Sequence, residues 1–208
     1  MPNPWLSIPL ADYEAHMELP QVAQAQLLSD IFGRLLREHA PRSAAVIGCA
    51  GGNGFERVDP AVTTRVVGVD LNANYLERAR TRFAERLPGL ELIAGDIQDG
   101  DLQVAPVELV YAALVLEYVD LEIALPRLRA WVAAAGLLAT VIQLPSASTA
   151  PVTPSPYAAL GALAPAMRLA DAGQVAGLAG RAGMREVARS VERAAGGKEF
   201  LLQVFRCG

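Results

Sequence analysis

The chain has 208 residues, a formal net charge of −4 and 52% hydrophobic residues. This length suits one α/β domain, and the apolar content is too high for a disordered chain. The acidic balance and the lack of an arginine- and lysine-rich run argue against a nucleic-acid partner. Two cysteines, Cys49 and Cys207, are too few for a disulfide framework, and no Cys/His cluster has zinc-ligand spacing, so we predict no metal site.

The sequence also predicts a location. The N-terminus lacks a basic region followed by a long apolar run, so no secretory signal is expected. The longest apolar run, residues 131–142, is too short to cross a bilayer. We therefore expect a cytoplasmic protein without a membrane partner, either a monomer or a homodimer. The 18 basic residues include a single lysine, Lys198, which we interpret as compositional bias.

Residues 1–43 are predicted to form an N-terminal helical extension. Pro20 lies where a helix would begin. After it, the apolar residues Leu28, Ile31, Phe32 and Leu35 recur at helical spacing and give one apolar face. The helix is expected to end before Pro41.

From residue 44 onward, short apolar runs alternate with helical patterns. The runs show no polar alternation, which is typical of strands buried on both faces; they are residues 44–47, 65–69, 90–94, 107–112 and 136–144. In the clearest helical pattern, Leu76, Ala79 and Phe83 share a face, and Asn72 or Asn74 can cap its start. This order predicts βαβ units with a parallel sheet.

The end of the chain departs from a simple dinucleotide fold. Residues 145–165 are proline-rich and uncharged and are interpreted as an ordered loop or lid. A helix is predicted from Asp171, followed by strands at 184–193 and 199–206 whose short glycine-rich connection requires antiparallel pairing. The predicted fold is therefore α/β: a Rossmann-like, doubly wound, mostly parallel seven-stranded sheet with a terminal antiparallel strand and helices on both faces. It spans residues 44–208 as a single compact unit.

The strongest chemical signal is a glycine-rich turn directly after the first strand and before a predicted helix. Glycines permit positive φ and close approach of a ligand to the backbone. The same pattern also suits a tight turn without a ligand, and both alternatives stay open. The turn contains Gly48, Cys49, Ala50, Gly51 and Gly52.

Two aspartates end the next two strands. Asp70 can accept hydrogen bonds from both hydroxyls of a ribose, although it can equally cap the following helix. Asp96 suits an exocyclic adenine amine, with Ile97 packing on the ring, but it can also be an ordinary turn residue. Carboxyl ends of parallel strands meet at one edge of a sheet, where such folds bind ligands. The three features together therefore predict a nucleoside site.

These motifs resemble those of the class I S-adenosylmethionine (SAM)-dependent methyltransferases over roughly residues 44–206. The glycine turn resembles the family's glycine motif, residues 69–72 its ribose motif, 95–97 its adenine motif, and 108–119 its fourth strand and following loop. The resemblance implies SAM as cofactor and S-adenosylhomocysteine (SAH) as product. It also implies that the N-terminal extension, residues 1–43, covers the cofactor cleft. It implies cofactor contacts from Tyr13, Gly48, Cys49, Ala50, Gly51, Gly52, Asp70, Leu71, Asp96, Ile97, Ala113 and Leu114.

The sequence departs from the family pattern at two positions. Val46 stands where the family usually has an acid that helps to hold the methionine amino group. Ala50 replaces the middle glycine of the motif, a small change that should still fit.

Candidate catalytic residues are few, because an activated methyl group mainly needs an aligned nucleophile and, for protonated acceptors, a base. His16 is either such a base or substrate contact, or an exposed residue at a polar helix start. Glu117 and Tyr118 follow the fourth strand near the expected methyl position, but they also suit a helix start and a packed aromatic. The uncharged stretch 131–167 suits an apolar acceptor pocket faced by Tyr157 and Met167, or equally a dimer contact.

The sequence favours a methyltransferase that acts on an O, N or C nucleophile of a small molecule, and the uncharged stretch 131–167 allows that molecule to be apolar. An NAD(P)-dependent oxidoreductase is a second hypothesis, although residues 48–53 fit the G-x-G-x-x-G order badly. A catalytically degenerate SAM-binding regulatory or scaffold protein is the third, motivated by Val46 and the lack of a clear base.

Overall fold

A computed structural model describes residues 3–146 and 150–208, so residues 147–149 of the predicted proline-rich loop lie outside the described residues. Seven strands form one sheet in the order β3-β2-β1-β4-β5-β7-β6. They are β1 (Ser43–Ile47), β2 (Arg65–Asp70), β3 (Leu90–Ala94), β4 (Val107–Ala113), β5 (Val132–Gln143), β6 (Met184–Arg193) and β7 (Glu199–Cys207).

Strand direction confirms the predicted fold class. Strands β1 to β5 pair in parallel, whereas β7 runs antiparallel to both β5 and β6. Strand β5 begins four residues before the predicted start at 136, since it includes Val132 opposite Val107 of β4. The sequence therefore identified every strand but placed some ends inaccurately.

Helices cover both faces of the sheet. They are α1 (Leu10–Glu18), α2 (Gln24–His39), α3 (Ala73–Phe83), α4 (Leu121–Ala130) and α5 (Ala172–Arg181). Phe32 of α2 and Leu76 of α3 pack in one apolar cluster with alternate strand residues such as Val46. Leu125 of α4 and Val175 of α5 pack against the opposite face. The period-two alternation of the strands divides the core into these two layers.

Local signals set several helix ends. The side chain of Asn72 accepts a hydrogen bond from Asn74 N at the start of α3, and Asp171 likewise caps α5 through Gln174 N. Helix α2 ends at His39 as predicted, but it begins at Gln24, because Pro20 lies in the turn after α1.

The helix predicted directly after the glycine turn is wrong. A three-residue 3-10 turn, Phe55–Arg57, stands there instead. Gly52 and Gly54 have φ of +91° and +92°, which a right-handed helix does not allow. Helix α2, which precedes β1 in the chain, covers this part of the sheet: Phe32 stacks on Tyr111 of β4 with ring centroids 5.1 Å apart.

No helix in the two described ranges is both long enough and apolar enough to cross a membrane.

Candidate active site

A cavity lies at the carboxyl ends of β1, β2, β3 and β4, and we call it the strand-end cavity. Nine of the twelve predicted cofactor residues line it, although they come from distant parts of the chain. They are Tyr13, Gly48, Ala50, Asp70, Leu71, Asp96, Ile97, Ala113 and Leu114. The parallel strands bring these residues together because their carboxyl ends share one edge of the sheet.

The other three predicted cofactor residues do not line this cavity. The side chain of Cys49 is buried in the core beside Gly68, so it faces away from the cavity. Gly51 and Gly52 line a different, more polar depression, which shares Tyr13 and Ala50 with the strand-end cavity.

Asp70 connects the glycine turn to the end of β2. Its Oδ2 accepts a hydrogen bond from Ala50 N at 2.8 Å, and its Oδ1 accepts one from Asn72 N at 2.9 Å. The carboxylate is 9% exposed, and burial raises its pKa. Each carboxylate oxygen has a second lone pair, so the group can still accept hydrogen bonds from a ligand in the cavity. Asp70 thus both shapes the loop and presents acceptors.

Asp96, in the turn after the neighbouring strand β3, also lines the strand-end cavity. Its Oδ1 accepts a hydrogen bond from Gln98 N at 2.9 Å, which closes the turn after β3. Its Oδ2 takes part in no hydrogen bond within the described structure. The neighbouring Ile97 is buried among core residues and also lines the cavity. This pair therefore offers one free acceptor beside an apolar surface.

Two non-glycine residues of the cavity have left-handed backbone conformations. Ala50 has a φ of 46° and Leu114 a φ of 55°. Such conformations cost an L-residue energy and concentrate at ligand sites. Gly48, at φ +67°, has no room for a side chain, since a Cβ would lie 2.5 Å from Cγ2 of Val115. The loops after β1 and β4 are therefore held tightly against each other.

Aromatic residues from the N-terminal segment lie over the cavity. The ring of Trp5 meets Tyr13 and Tyr118 edge to face, at centroid distances of 5.4 and 5.1 Å. Tyr13 also stacks near Tyr75, whose hydroxyl donates a hydrogen bond to Ile8 O at 2.8 Å. Trp5 and Tyr75 carry no local sequence signal of a site, so the sequence analysis missed them.

A second cavity adjoins the first, and we call it the hairpin cavity because the β6–β7 connection forms part of its wall. It shares Trp5, Tyr13, Leu114 and Tyr118 with the strand-end cavity. Its remaining wall residues are His16, Met17, Gln24, Gln143, Pro151, Val152, Thr153, Leu163, Met167 and Lys198. The prediction that Met167 faces a pocket beside the cofactor residues agrees with this position. Tyr157 instead packs against the apolar cluster around Ile8 and Leu160.

The two predicted catalytic residues occupy different environments. His16 lines the hairpin cavity and is 7% exposed, so the alternative of an exposed histidine is wrong. Burial and the charge of Lys198 lower the pKa of His16, and its buried Nδ1 has no hydrogen-bond partner in the described structure.

Glu117 is 1% exposed and lines neither cavity. Its Oε1 accepts a hydrogen bond from Gln143 N at 2.7 Å, and burial raises its pKa to about 7. A direct contact with a ligand in either cavity is therefore not part of this arrangement. Glu117 instead holds the end of β5 through this hydrogen bond, and Gln143 there forms part of the wall of the hairpin cavity.

Lys198 is a buried polar residue that the sequence analysis did not identify as a site candidate. It is 3% exposed at the end of the β6–β7 connection, and burial lowers its pKa to about 8. Its position as the single lysine of the chain was the available signal. Val46, the other departure noted in the sequence, is a buried core residue behind the glycine turn.

Comparison with known proteins agrees with this geometry. Residues 45–136 match the family model of a methyltransferase domain. This match confirms the resemblance to the class I SAM-dependent methyltransferases that the sequence motifs predicted. A search of curated proteins finds no match to this methyltransferase sequence.

Solved structures share the methyltransferase fold at low sequence identity. Magnesium protoporphyrin IX methyltransferase from Synechocystis PCC 6803 with bound SAH is 12% identical, with a TM-score of 0.69 over 90% of this chain and 84% of that chain. The N-methyltransferase NodS from Bradyrhizobium japonicum WM9 in complex with SAH is 22% identical, with a TM-score of 0.62 over 100% and 93% of the two chains. The [4+2]-cyclase SpnF is 12% identical, with a TM-score of 0.66 over 89% and 82%.

Proposed function

We propose that this protein transfers the methyl group of SAM to an O, N or C nucleophile of a small molecule by in-line displacement. The observation that carries this proposal is the pair of adjoining cavities, one built from the ends of four strands and one beside it. With the methyl donor bound in the strand-end cavity, the acceptor would bind next to it in the hairpin cavity. Leu114 and three aromatic residues line both cavities and mark the boundary between them.

The residues of the strand-end cavity suit SAM. The free lone pairs of Asp70 can accept the ribose hydroxyls, and the free Oδ2 of Asp96 can accept the adenine amine while Ile97 packs on the ring. The backbone at Gly48, Ala50 and Leu114 would lie along the remaining, methionine part. SAM supplies, when bound, a methyl group already activated by its sulfonium.

The aromatic residues that line both cavities have two proposed roles, the exclusion of water and the attraction of a cation. Trp5, Tyr13 and Tyr118 cover the boundary between the cavities and would exclude water from the reacting groups. Their ring faces also attract a cation, and a sulfonium is one. We propose that the segment around Trp5 and α1 covers the cofactor, whereas α2 is part of the common core.

His16 is the proposed proton acceptor for substrates whose nucleophile carries a proton. Its lowered pKa keeps the imidazole neutral at pH 7, and a neutral ring nitrogen can take up a proton. We expect His16→Gln to lower kcat by about 100-fold for a hydroxyl acceptor, in line with typical general-base contributions. His39→Gln, which changes the exposed second histidine, is the matched control.

A nicotinamide dinucleotide fits this site less well. Its pyrophosphate normally sits at the N-terminus of the helix that follows the glycine turn. Here a three-residue 3-10 turn, Phe55–Arg57, replaces that helix. The described residues after the glycine turn therefore offer no helix N-terminus for the pyrophosphate of NAD or NADP.

Thermal unfolding with SAM, SAH, NAD and NADP tests the cofactor. A ligand at one hundred times its Kd should add about 2.7 kcal/mol of stability. We expect this increase with SAM and SAH, and an increase with the nicotinamide cofactors alone would contradict the proposal. Binding without turnover of any acceptor in a panel of hydroxyl, amine and carbon nucleophiles would instead favour a degenerate SAM-binding protein.

A substitution tests the ribose contact. Asp70→Asn should weaken SAH binding at least about tenfold, because it removes a charged acceptor, which corresponds to about 1.4 kcal/mol. Asp59→Asn is the matched control, since Asp59 also accepts the backbone N–H two residues ahead, at 2.9 Å from Ala61 N, but lies outside the cavities. Equal SAH affinities in the two variants would overturn the assignment of Asp70.

A further inference from the structure

The hairpin cavity holds a buried ammonium group without a carboxylate beside it. Nζ of Lys198 donates hydrogen bonds to Gln143 Oε1 at 3.3 Å and to Pro151 O at 2.5 Å. Both acceptors are uncharged. Lys198 takes part in none of the nine ion pairs found among residues 3–146 and 150–208. No aspartate or glutamate is among the described residues that line this cavity.

Other polar groups in the same wall also lack partners. An ammonium has three N–H donors, and two of those on Lys198 are used. Thr153 Oγ1 and His16 Nδ1 are buried, and neither has a hydrogen-bond partner in the part of the chain that the structure describes. Lys198 is close enough to His16 for its charge to lower the pKa of the imidazole. Three groups able to face a ligand therefore meet in one cavity.

The rest of the wall is apolar. Val152, Leu163 and Met167 give this wall apolar side chains. All three come from the uncharged stretch 131–167 of the sequence. Burying an unpaired charge is costly, and a ligand that brings the opposite charge recovers much of that cost. An ammonium beside an apolar wall thus fits a ligand with one anionic group and an apolar body.

We propose that the hairpin cavity takes a small carboxylate-bearing molecule, whose carboxylate pairs with Lys198 and whose apolar body packs against Met167 and its neighbours. In calling this molecule the methyl acceptor, the inference rests on the proposed function. The binding of the carboxylate itself does not depend on methyl transfer. Lys198 would determine which acceptors bind and would not take part in the bond-making step.

The single lysine makes a direct test possible. Labelling with [13Cε]lysine gives one side-chain resonance, so NMR can follow Lys198 alone. Benzoate and benzamide are suitable probes, because they share shape but only benzoate carries a charge. We expect benzoate to shift the lysine resonance and raise the pKa of Lys198, and benzamide to do neither. No response to benzoate, or equal responses to both probes, would overturn the proposal.

Substitutions give the second readout, by isothermal titration with and without saturating SAH. Lys198→Met should weaken benzoate binding at least about tenfold and leave SAH affinity unchanged. Arg193→Met is the matched control, since it removes a charge from the same hairpin at a side chain that is 72% exposed. Unchanged benzoate binding in Lys198→Met would contradict the proposal.

The two proposals fail in different ways. Loss of the cofactor assignment would show as absent SAH binding in the wild type, while benzoate could still bind. If Lys198→Met does not fold, the NMR comparison of benzoate with benzamide in the wild-type protein decides the matter.

Discussion

Glu14 of α1 and Arg82 of α3 form an ion pair directly over Gly51. Nη2 of Arg82 lies 2.8 Å from Oε2 of Glu14, and Nη1 also donates to Gly51 O at 3.2 Å. The pair joins the N-terminal segment to the glycine turn and to the helix after β2. Both side chains are partly exposed, Arg82 at 41% and Glu14 at 32%, so the pair should contribute little to global stability.

Removing this pair should loosen the N-terminal segment locally. We expect Arg82→Ala to lower the free energy of unfolding by less than about 1 kcal/mol. Hydrogen exchange of the amides in α1 should nevertheless become faster, because the ion pair that joins α1 to α3 is lost. Arg80→Ala is the control, since Arg80 lies on the same helix but pairs with Glu77 of that helix. Equal exchange in both variants would show that the pair does not hold α1.

Tyr75 makes a second contact that holds the N-terminal segment in place. Tyr75→Phe removes the hydrogen bond from its hydroxyl to Ile8 O and should cost about 1 kcal/mol of stability. We also expect faster release of SAH, measured by stopped flow, because the segment over the cavity opens more often. Tyr111→Phe removes a similar bond to Leu28 O at 3.0 Å, away from the cavities. It should lower stability by a similar amount without changing the release rate.

Backbone strain at Ala50 predicts a stabilising substitution. The left-handed conformation at φ 46° is unfavourable for alanine and accessible to glycine. Ala50→Gly should therefore raise the free energy of unfolding by up to about 1 kcal/mol, after the greater entropy of the unfolded chain is allowed for. Ala135→Gly, at φ 59° on an exposed part of β5, should behave alike. Urea unfolding measures both, and clear destabilisation at both positions would contradict the strain argument.

The buried carboxyl group of Glu117 predicts a pH dependence of stability. Its pKa rises from 4.5 to about 7 in the folded state, so the folded protein binds more protons than the unfolded chain between these values. The stability that Glu117 supports is thus complete below pH 4.5 and is lost as the pH rises through 7. The difference between the two pKa values limits this loss of stability to about 3.4 kcal/mol.

Glu117→Gln isolates this contribution, because the variant cannot ionise there. We expect the wild type to lose stability relative to Glu117→Gln between pH 5 and pH 8, measured by urea unfolding. Burial also raises the pKa of Asp70, but that residue is common to both proteins and cancels in the difference. A difference that does not vary with pH would show that Glu117 does not titrate in this range.

Local patterns determined most of the architecture. Short apolar runs bounded by Gly48, Asp70 and Asp96 fixed where the first three strands end, and parallel strands must present those ends at one edge. The antiparallel pairing of β6 and β7 followed from the short connection between them. These features depend on neighbours in the sequence, so periodicity and turn residues were enough to predict them.

Only tertiary structure decided what surrounds the site. Helix α2 occupies the sheet face where the sequence predicted a helix after the glycine turn, because Phe32 and its neighbours supply the required apolar face. Trp5, His16 and Lys198 are close in space but come from opposite ends of the chain. A contact between residues so far apart leaves no periodic pattern, since packing of the whole core brings them together. The glycine turn and the two aspartates were therefore readable from sequence, whereas the second cavity and its buried lysine were not.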